Sequence, residues 1–284
     1  MTVTLLDQPK SVTDYPVAEE IMEALARYRY LTKNQLLMVN GRDDKTLRDR
    51  LGGLVNGNFV KKREFRLGQG VGRLPNIYWL SALGGKWVKK AMGVEVKPPD
   101  GDEIKTSHVP HRILTVDCLI AADAWARRTG QSVPEFKTYM HFENRRVSTL
   151  LPLVGKTAAP DIIFELEDTA ENRRVYVLEV YCDGADNSIN HPLKQLEPLV
   201  LAGHGRTLND NLNIGENDKA AGILVVCDTL KMRDRLLLKL PLRAGMPPLE
   251  KRIWNRILFK SADELVDFGN GWQKVDGSSV NLPA

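Results

Sequence analysis

No stretch of the 284-residue chain approaches the ~20 consecutive apolar residues that a membrane-spanning helix requires, so no transmembrane segment is expected. The opening, MTVTLLDQPKSVTDYP, lacks a basic stretch followed by a long apolar run and does not read as a secretory signal. Cysteine is scarce. Cys118, Cys182 and Cys227 are far apart, form no CxxC pair and are odd in number. That argues against a disulfide framework and suits small buried side chains in a reducing, cytoplasmic setting. The histidines (His108, His111, His141, His191 and His204) show no HxH or HxxxH spacing, so no zinc site is expected. No GxSxG nucleophile elbow is present. VGKT at 154–157 echoes a phosphate-binding loop, but the first glycine of that motif would fall at Leu150. There is no internal repeat and no low-complexity run.

Charge is uneven along the chain. The net charge is only +4, yet residues 42–90 hold 12 Lys or Arg against 4 Asp or Glu, which leaves the remainder near −4. Such asymmetry points to one part that meets a polyanion and another with a different task. At 43% hydrophobic content the 284 residues suffice for one large domain or two ordinary ones.

The apolar spacing predicts helices over 17–28, 33–39 and 45–58, with Thr32 capping the second and Asp43 or Asp44 the third. In the third, Leu47, Leu51, Leu54 and Val55 form one stripe; Arg42, Lys45, Thr46 and Asp49 lie roughly opposite, with Arg48 and Arg50 at its flanks. Strands are predicted over 59–67 and 76–80, around a tip containing Gly68, Gly70 and Gly72, before a fourth helix over 82–92 capped by Ser81. Three helices, a hairpin and a further helix describe a winged helix-turn-helix over 1–92. Its third helix would enter a major groove and its wing would rest on phosphates. Arg42, Lys45, Thr46 and Arg48 on the helix, with Lys61, Lys62, Arg63, Arg66 and Arg73 around the wing, are the candidate contacts to double-stranded DNA. A solvated basic face, or a winged helix that grips a protein, is the alternative.

Residues 93–108, with two prolines, two glycines and no regular period, read as a linker. Beyond it, over 109–284, a long helix at 110–128 precedes strands at 136–142, 161–166, 175–180, 222–227 and 253–259 and helices at 192–201, 230–238 and 262–268. The whole is therefore α+β, with a mixed sheet in the second domain. His111 and Arg112 open the long helix, where they serve either as a phosphate contact or as a plain domain boundary.

Asp161 heads one predicted strand and Glu179 lies near the end of the next, 18 residues on. If those strands pair as a hairpin, the two carboxylates meet at one end of the sheet, where they could hold a hard divalent cation, Mg²⁺ or Mn²⁺. Such an ion polarises a phosphodiester and lowers the pKa of a bound water. Glu165, Asp183 and Asp186 are further acids nearby. The alternative is that acids such as Glu165 and Glu167 simply alternate onto a solvated strand face.

Pro160-Asp161, a strand, a turn and then Glu179-Val180-Tyr181 resemble the PD-(D/E)xK nuclease pattern, except that Tyr181 stands where lysine is usual. The resemblance implies Asp161 and Glu179 as metal ligands, with Tyr181 or Lys194 of the following helix assisting. LTKNQLLMV, LRDRLGGLVNGNFVKKR and IYWLSALGGKWV in the first half, with PHRILTVDCLIA, APDIIFELE and VYVLEVYCDG in the second, resemble the plasmid replication-relaxation family, akin to conjugative relaxases of nuclease fold. That resemblance implies DNA processing at a plasmid or mobile-element origin: either metal-dependent nicking, or a non-catalytic DNA-binding regulator or replication-accessory factor on a degenerate nuclease fold. A homodimer or other plasmid-processing proteins would be its partners, with no membrane.

Overall fold

The computed structural model describes residues 16–66, 73–98, 104–140, 142–143, 146–147, 149–153, 156–182, 189–203, 219–249 and 252–283. The protein is mixed α+β and divides into two compact units, Met1–Val116 and Asp117–Ala284.

In the first unit, α1 (Pro16–Tyr28) buries Ile21, Met22, Leu25 and Tyr28, one stripe at helical spacing. It stops where Arg29 takes a left-handed φ of 69°. A two-residue strand β1 (Leu31–Thr32) leads into α2 (Lys33–Asn40) through a capping box. The Gln35 amide donates to Thr32 Oγ1 (3.2 Å) and the Thr32 amide to Gln35 Oε1 (2.8 Å). Asp43 caps α3 (Asp44–Asn56) by accepting from the Thr46 amide at 2.9 Å. Leu47, Leu51 and Leu54 fix this helix to the core. Its exposed side carries Gly52 and Gly53, where an added Cβ would meet nothing within 4 Å.

Strands β2 (Val60–Arg66) and β3 (Arg73–Leu80) pair antiparallel, with β1 on the other side of β3. Their register shifts between Arg63 and Phe65, so that Pro75 and Asn76 stand against Glu64 alone. A proline is tolerated there because a bulge asks nothing of the amide it lacks. Ser81 caps α4 (Ala82–Met92), its Oγ accepting from the Gly84 amide at 3.0 Å. Gly84 packs so tightly that a Cβ would lie 2.1 Å from the Phe59 carbonyl oxygen. The elements expected over 17–92 are thus present with small shifts of their ends. The glycine-containing tip lies outside the described residues.

The division between units falls later than the 93–108 segment that the sequence offers as a linker. The described parts of that segment pack on the first unit: Ile104 is fully buried, Pro98 lies against Gly85, and the Lys97 carbonyl accepts from Arg29 Nη1 at 3.2 Å. Helix α5 (Val109–Arg128) follows without a break and carries the boundary between Val116 and Asp117. On the first-unit side, the Ile113 carbonyl accepts from Gln35 Nε2 at 3.0 Å and the Arg112 guanidinium lies 5.1 Å from the Tyr30 ring centre. His111 and Arg112 therefore sit within the helix, and Arg112 is buried.

The second unit is built on a seven-stranded mixed sheet. Its strands are β4 (Phe136–Thr138), β9 (Ile162–Glu167), β10 (Arg173–Tyr181), β11 (Lys219–Cys227), β12 (Ile257–Ser261), β13 (Trp272–Gln273) and β14 (Ser279–Val280). The order is β14-β13-β12-β11-β10-β9-β4; β10, β11 and β12 run parallel, and the remaining neighbours antiparallel. Two small hairpins, β5 (Phe142–Glu143) with β6 (Arg146–Val147) and β7 (Leu151–Leu153) with β8 (Lys156–Ala158), lie between β4 and β9 in the chain.

One face of the sheet packs Val177, Tyr181, Val225, Cys227 and Phe259 against α6 (Asn190–Gly203) and α7 (Leu230–Lys239) through Leu196, Leu199, Met232 and Leu236. The other face is aromatic. Phe164 stacks on Tyr176 with ring centres 5.3 Å apart, and Phe268 meets Trp272 at 5.5 Å and Trp125 at 6.0 Å. Gly269 lies so close beneath Trp125 that a Cβ would fall 1.9 Å from Nε1. Lys260 is fully buried on β12, where its ammonium donates to the carbonyls of Asp267, Phe268 and Asn270.

Local differences from the sequence expectation are confined to short pieces. The strand expected over 136–142 is the three-residue β4, and the strand expected over 253–259 begins only at Ile257, after a 3₁₀ turn at Arg252–Arg256. The expected helix over 262–268 is the 3₁₀ segment Ala262–Asp267. No helix among the described residues is long and apolar enough to cross a membrane.

Candidate functional site

The carboxylates of Asp161 and Glu179 come together through strand register. The β9–β10 ladder pairs Ile162 with Leu178, so its next step sets Asp161 against Glu179. Directly opposed side chains of an antiparallel pair point to the same face. Asp161 stands one residue outside β9, and its carboxylate turns onto β10, where Oδ2 accepts from the Val180 amide at 2.8 Å. It thereby completes the ladder with a side chain in place of a carbonyl.

Both acids are buried, Asp161 to 8% exposure and Glu179 to 4%. Burial, reinforced by the charge and hydrogen bond of Asp161, pushes the Glu179 carboxyl well above the usual carboxylate range. Two like charges in contact away from water are unfavourable, which favours the protonated form of Glu179. Tyr181 follows two residues on along the same face and is 4% exposed. Its hydroxyl lies close enough to bear on Glu179, yet it makes no hydrogen bond of ordinary geometry. Burial first, and the neighbouring carboxylates second, push the phenol well above its ordinary value and hold it protonated.

The three cysteines, distant in sequence, gather around this end of the sheet. Cys118 on α5 and Cys182 after β10 both feel the Asp161 charge, and Cys227 is the register partner of Tyr181. Burial pushes the Cys182 thiol up to about 12 and the other two upward as well. All three are free thiols with little thiolate character. Nothing in the spacing of the cysteines announced this convergence; β10 and β11 pairing in parallel brings Cys182 and Cys227 together, and α5 adds Cys118.

Lys194 does not join the cluster. Leu193, Leu196, Leu199 and Val200 of α6 are the buried stripe, whereas Lys194 is exposed. The groups acting on Glu179 are Asp161 and Tyr181, with no ammonium among them. Glu165 lies further along β9, where Arg173 pairs with it at 3.5 Å and with Glu167 at 2.7 Å. Asp183 and Asp186 lie outside the described residues. Among the described residues no group of three or more His, Cys, Asp or Glu side chains is arranged to hold a metal. The donor chemistry of Asp161 and Glu179 nevertheless fits a hard cation. Mg²⁺ takes oxygen ligands and commonly binds through one or two carboxylates, with water completing its shell.

The cations of the first unit fall into two kinds. Glu20 of α1 grips Arg42 by both carboxylate oxygens, with Nε at 3.0 Å. Asp44 bridges Arg48 and Lys33, the latter at 2.6 Å, and Lys62 pairs with Glu64 at 3.0 Å. The Arg42 hydrogen bond holds Glu20 below the usual carboxylate range, and Lys33, then Arg48, do the same for Asp44. Lys45, Lys61 and Arg73 are exposed and enter no ion pair with a described residue. Arg63 lies over the Phe65 ring at 5.3 Å, and Thr46 is half-buried at the start of α3. Arg66 belongs to β2, and its side chain lies outside the described residues.

Comparison of the chain with protein-family models, with curated proteins and with solved structures found no match in any of the three.

Proposed function

We propose that the chain is a DNA-binding protein of plasmid or mobile-element replication and mobilisation, in which a winged helix holds duplex DNA and a PD-(D/E)xK nuclease-like unit nicks it with Mg²⁺ or Mn²⁺. The observation that carries the catalytic half is the pairing of Asp161 with Glu179. Two buried acids lie opposed across a ladder, one of them pushed well above the usual carboxylate range, and strongly perturbed groups of this kind cluster at functional sites.

Within this reading Asp161 and Glu179 would hold the cation, which would supply Lewis-acid polarisation of the phosphodiester. Glu179 gives up its proton before it can ligate. The Val180 amide fixes the Asp161 carboxylate, so one ligand is positioned by the sheet itself. Tyr181, protonated beside Glu179, acts as a hydrogen-bond donor and not as an anionic nucleophile. On the DNA-binding side, α3 with its exposed Lys45 and the β2–β3 hairpin with Lys61 and Arg73 supply the cationic elements that groove and phosphate contacts require.

A second reading, a non-catalytic DNA-binding regulator or replication-accessory factor, is favoured by Tyr181 at the usual lysine position and by the exposure of Lys194. Incubation of the full chain with supercoiled origin plasmid and Mg²⁺ or Mn²⁺ separates the two. Open-circular product formed by the wild type and absent with Asp161→Asn supports nicking. Tight binding without any product leaves the regulator.

A further inference from the structure

The cations on the first unit are not equivalent, and acids in the same fold decide which of them can reach a polyanion. Arg42 is held by Glu20 across from α1, Arg48 by Asp44 within α3, and Lys62 by Glu64 within β2. The Arg42–Glu20 and Lys62–Glu64 pairs are locally neutral, and Arg48 shares Asp44 with Lys33. A phosphate approaching one of them must displace a carboxylate and then tolerate that carboxylate beside it. Lys45, Lys61 and Arg73 pay no such exchange, and Lys62 and Arg73 are close enough for their charges to repel. A second cation nearby with no compensating acid raises the local positive potential, which phosphate relieves.

We infer that Lys45, Lys61 and Arg73 are the phosphate-contacting residues of the first unit, and that Glu20 and Asp44 keep Arg42 and Arg48 out of those contacts. Glu20 is then an affinity-limiting residue: an intramolecular competitor that occupies a guanidinium otherwise placed to meet the backbone of the duplex. This inference rests on the reading of the unit as a binder of duplex DNA, and it names which of nine candidate residues carry the electrostatic part.

Counterion release makes the distinction measurable. Each phosphate neutralised by a protein cation contributes about −0.9 to the slope of log K against log salt. Binding of the full chain to a short fluorescent duplex, followed by anisotropy across a salt series, reads that slope directly. Lys45→Gln, Lys61→Gln and Arg73→Gln should each weaken binding several-fold and flatten the slope by about 0.9. Arg42→Gln and Arg48→Gln should leave the slope at the wild-type value. Glu20→Gln, which releases Arg42, should tighten binding and steepen the slope by about 0.9. Slopes flattened by Arg42→Gln as much as by Lys61→Gln overturn the inference, as does a Glu20→Gln variant indistinguishable from wild type. A wild-type chain that binds no duplex at any salt removes the underlying DNA-binding reading, a result distinct from either of those.

Discussion

In the first unit, several surface cations are answered by acids: Arg42 by Glu20, Arg48 by Asp44, Lys62 by Glu64. In the second unit, the charges of interest are inside. Asp161 and Glu179 are like-signed and in contact, and Lys260 is closed in among main-chain carbonyls. Exposed ion pairs are screened by water and contribute little to stability, so their placement is free to follow a partner's needs. Buried ionisable groups are costly unless every one finds a hydrogen-bonding partner. Lys260 meets that demand and needs no reason beyond the fold. The acid pair meets it only in part: Asp161 accepts from the Val180 amide, but burial beside that carboxylate pushes Glu179 toward its protonated form. The contrast sorts the buried groups into those explained by structure and those that call for a function.

The sharpest way to press this comparison is to remove a satisfied buried cation. Lys260→Met strips three carbonyls of their donor and should lower stability by about 3–5 kcal/mol, read by thermal melting. A variant as stable as wild type would mean that the ammonium is not the staple of the 267–270 turn. Next in size, Asp161→Ala deprives the buried Val180 amide of its acceptor, so a loss of about 1–3 kcal/mol should accompany the loss of any nicking. An unchanged melting temperature would show that the hydrogen bond is dispensable.

The protonation of Glu179 predicts a pH dependence. Its folded pKa is raised, so the stability it contributes is whole below its unfolded value of about 4.3. That stability is lost as pH rises toward the folded pKa, by up to about 1.4 kcal/mol per pH unit. Glu179→Gln should gain on wild type progressively above that point, and a difference independent of pH would show that the Glu179 carboxyl is not raised. Smaller still, Tyr181→Phe deletes a hydroxyl with no good partner and should change stability by no more than about 1 kcal/mol, in either direction. A larger loss would reveal a bond that the hydroxyl does make. At the bottom of the scale, Arg42→Gln should leave the melting temperature where it was; a clear drop would mark the Glu20 pair as structural.

Much of this was legible in the sequence because it follows from periodicity and caps. Leu47, Leu51 and Leu54 specify α3, and Thr32, Asp43 and Ser81 mark helix starts that the chain adopts. The alternating burial of 162–167 and the apolar run of 175–181 specify β9 and β10, and a short turn between them leaves an antiparallel register as the simple choice. The facing of Asp161 and Glu179 is a consequence of that register. Their burial was not legible, because it depends on α6 and α7, which arrive later in the chain and cover the same face. Lys194 illustrates a signal that was present: Leu193, Leu196, Leu199 and Val200 define the inward stripe of α6, and position 194 lies off it. Strands of two or three residues, such as β1, β4, β13 and β14, carry too few positions for alternation to register. The Glu20–Arg42 and Lys33–Asp44 pairs join separate elements and have no mark in local sequence, whereas Asp44–Arg48 is an i,i+4 pair on one helix and could have been read from its spacing.

Asp161 already has one oxygen committed to the backbone of β10. Under the proposed nicking reading, a cation seated there would take one or two ligands from these carboxylates and the rest of its shell from water and the nucleic acid. Under that arrangement free divalent ion in the cell, and not the protein's own grip, would set how often the site is armed.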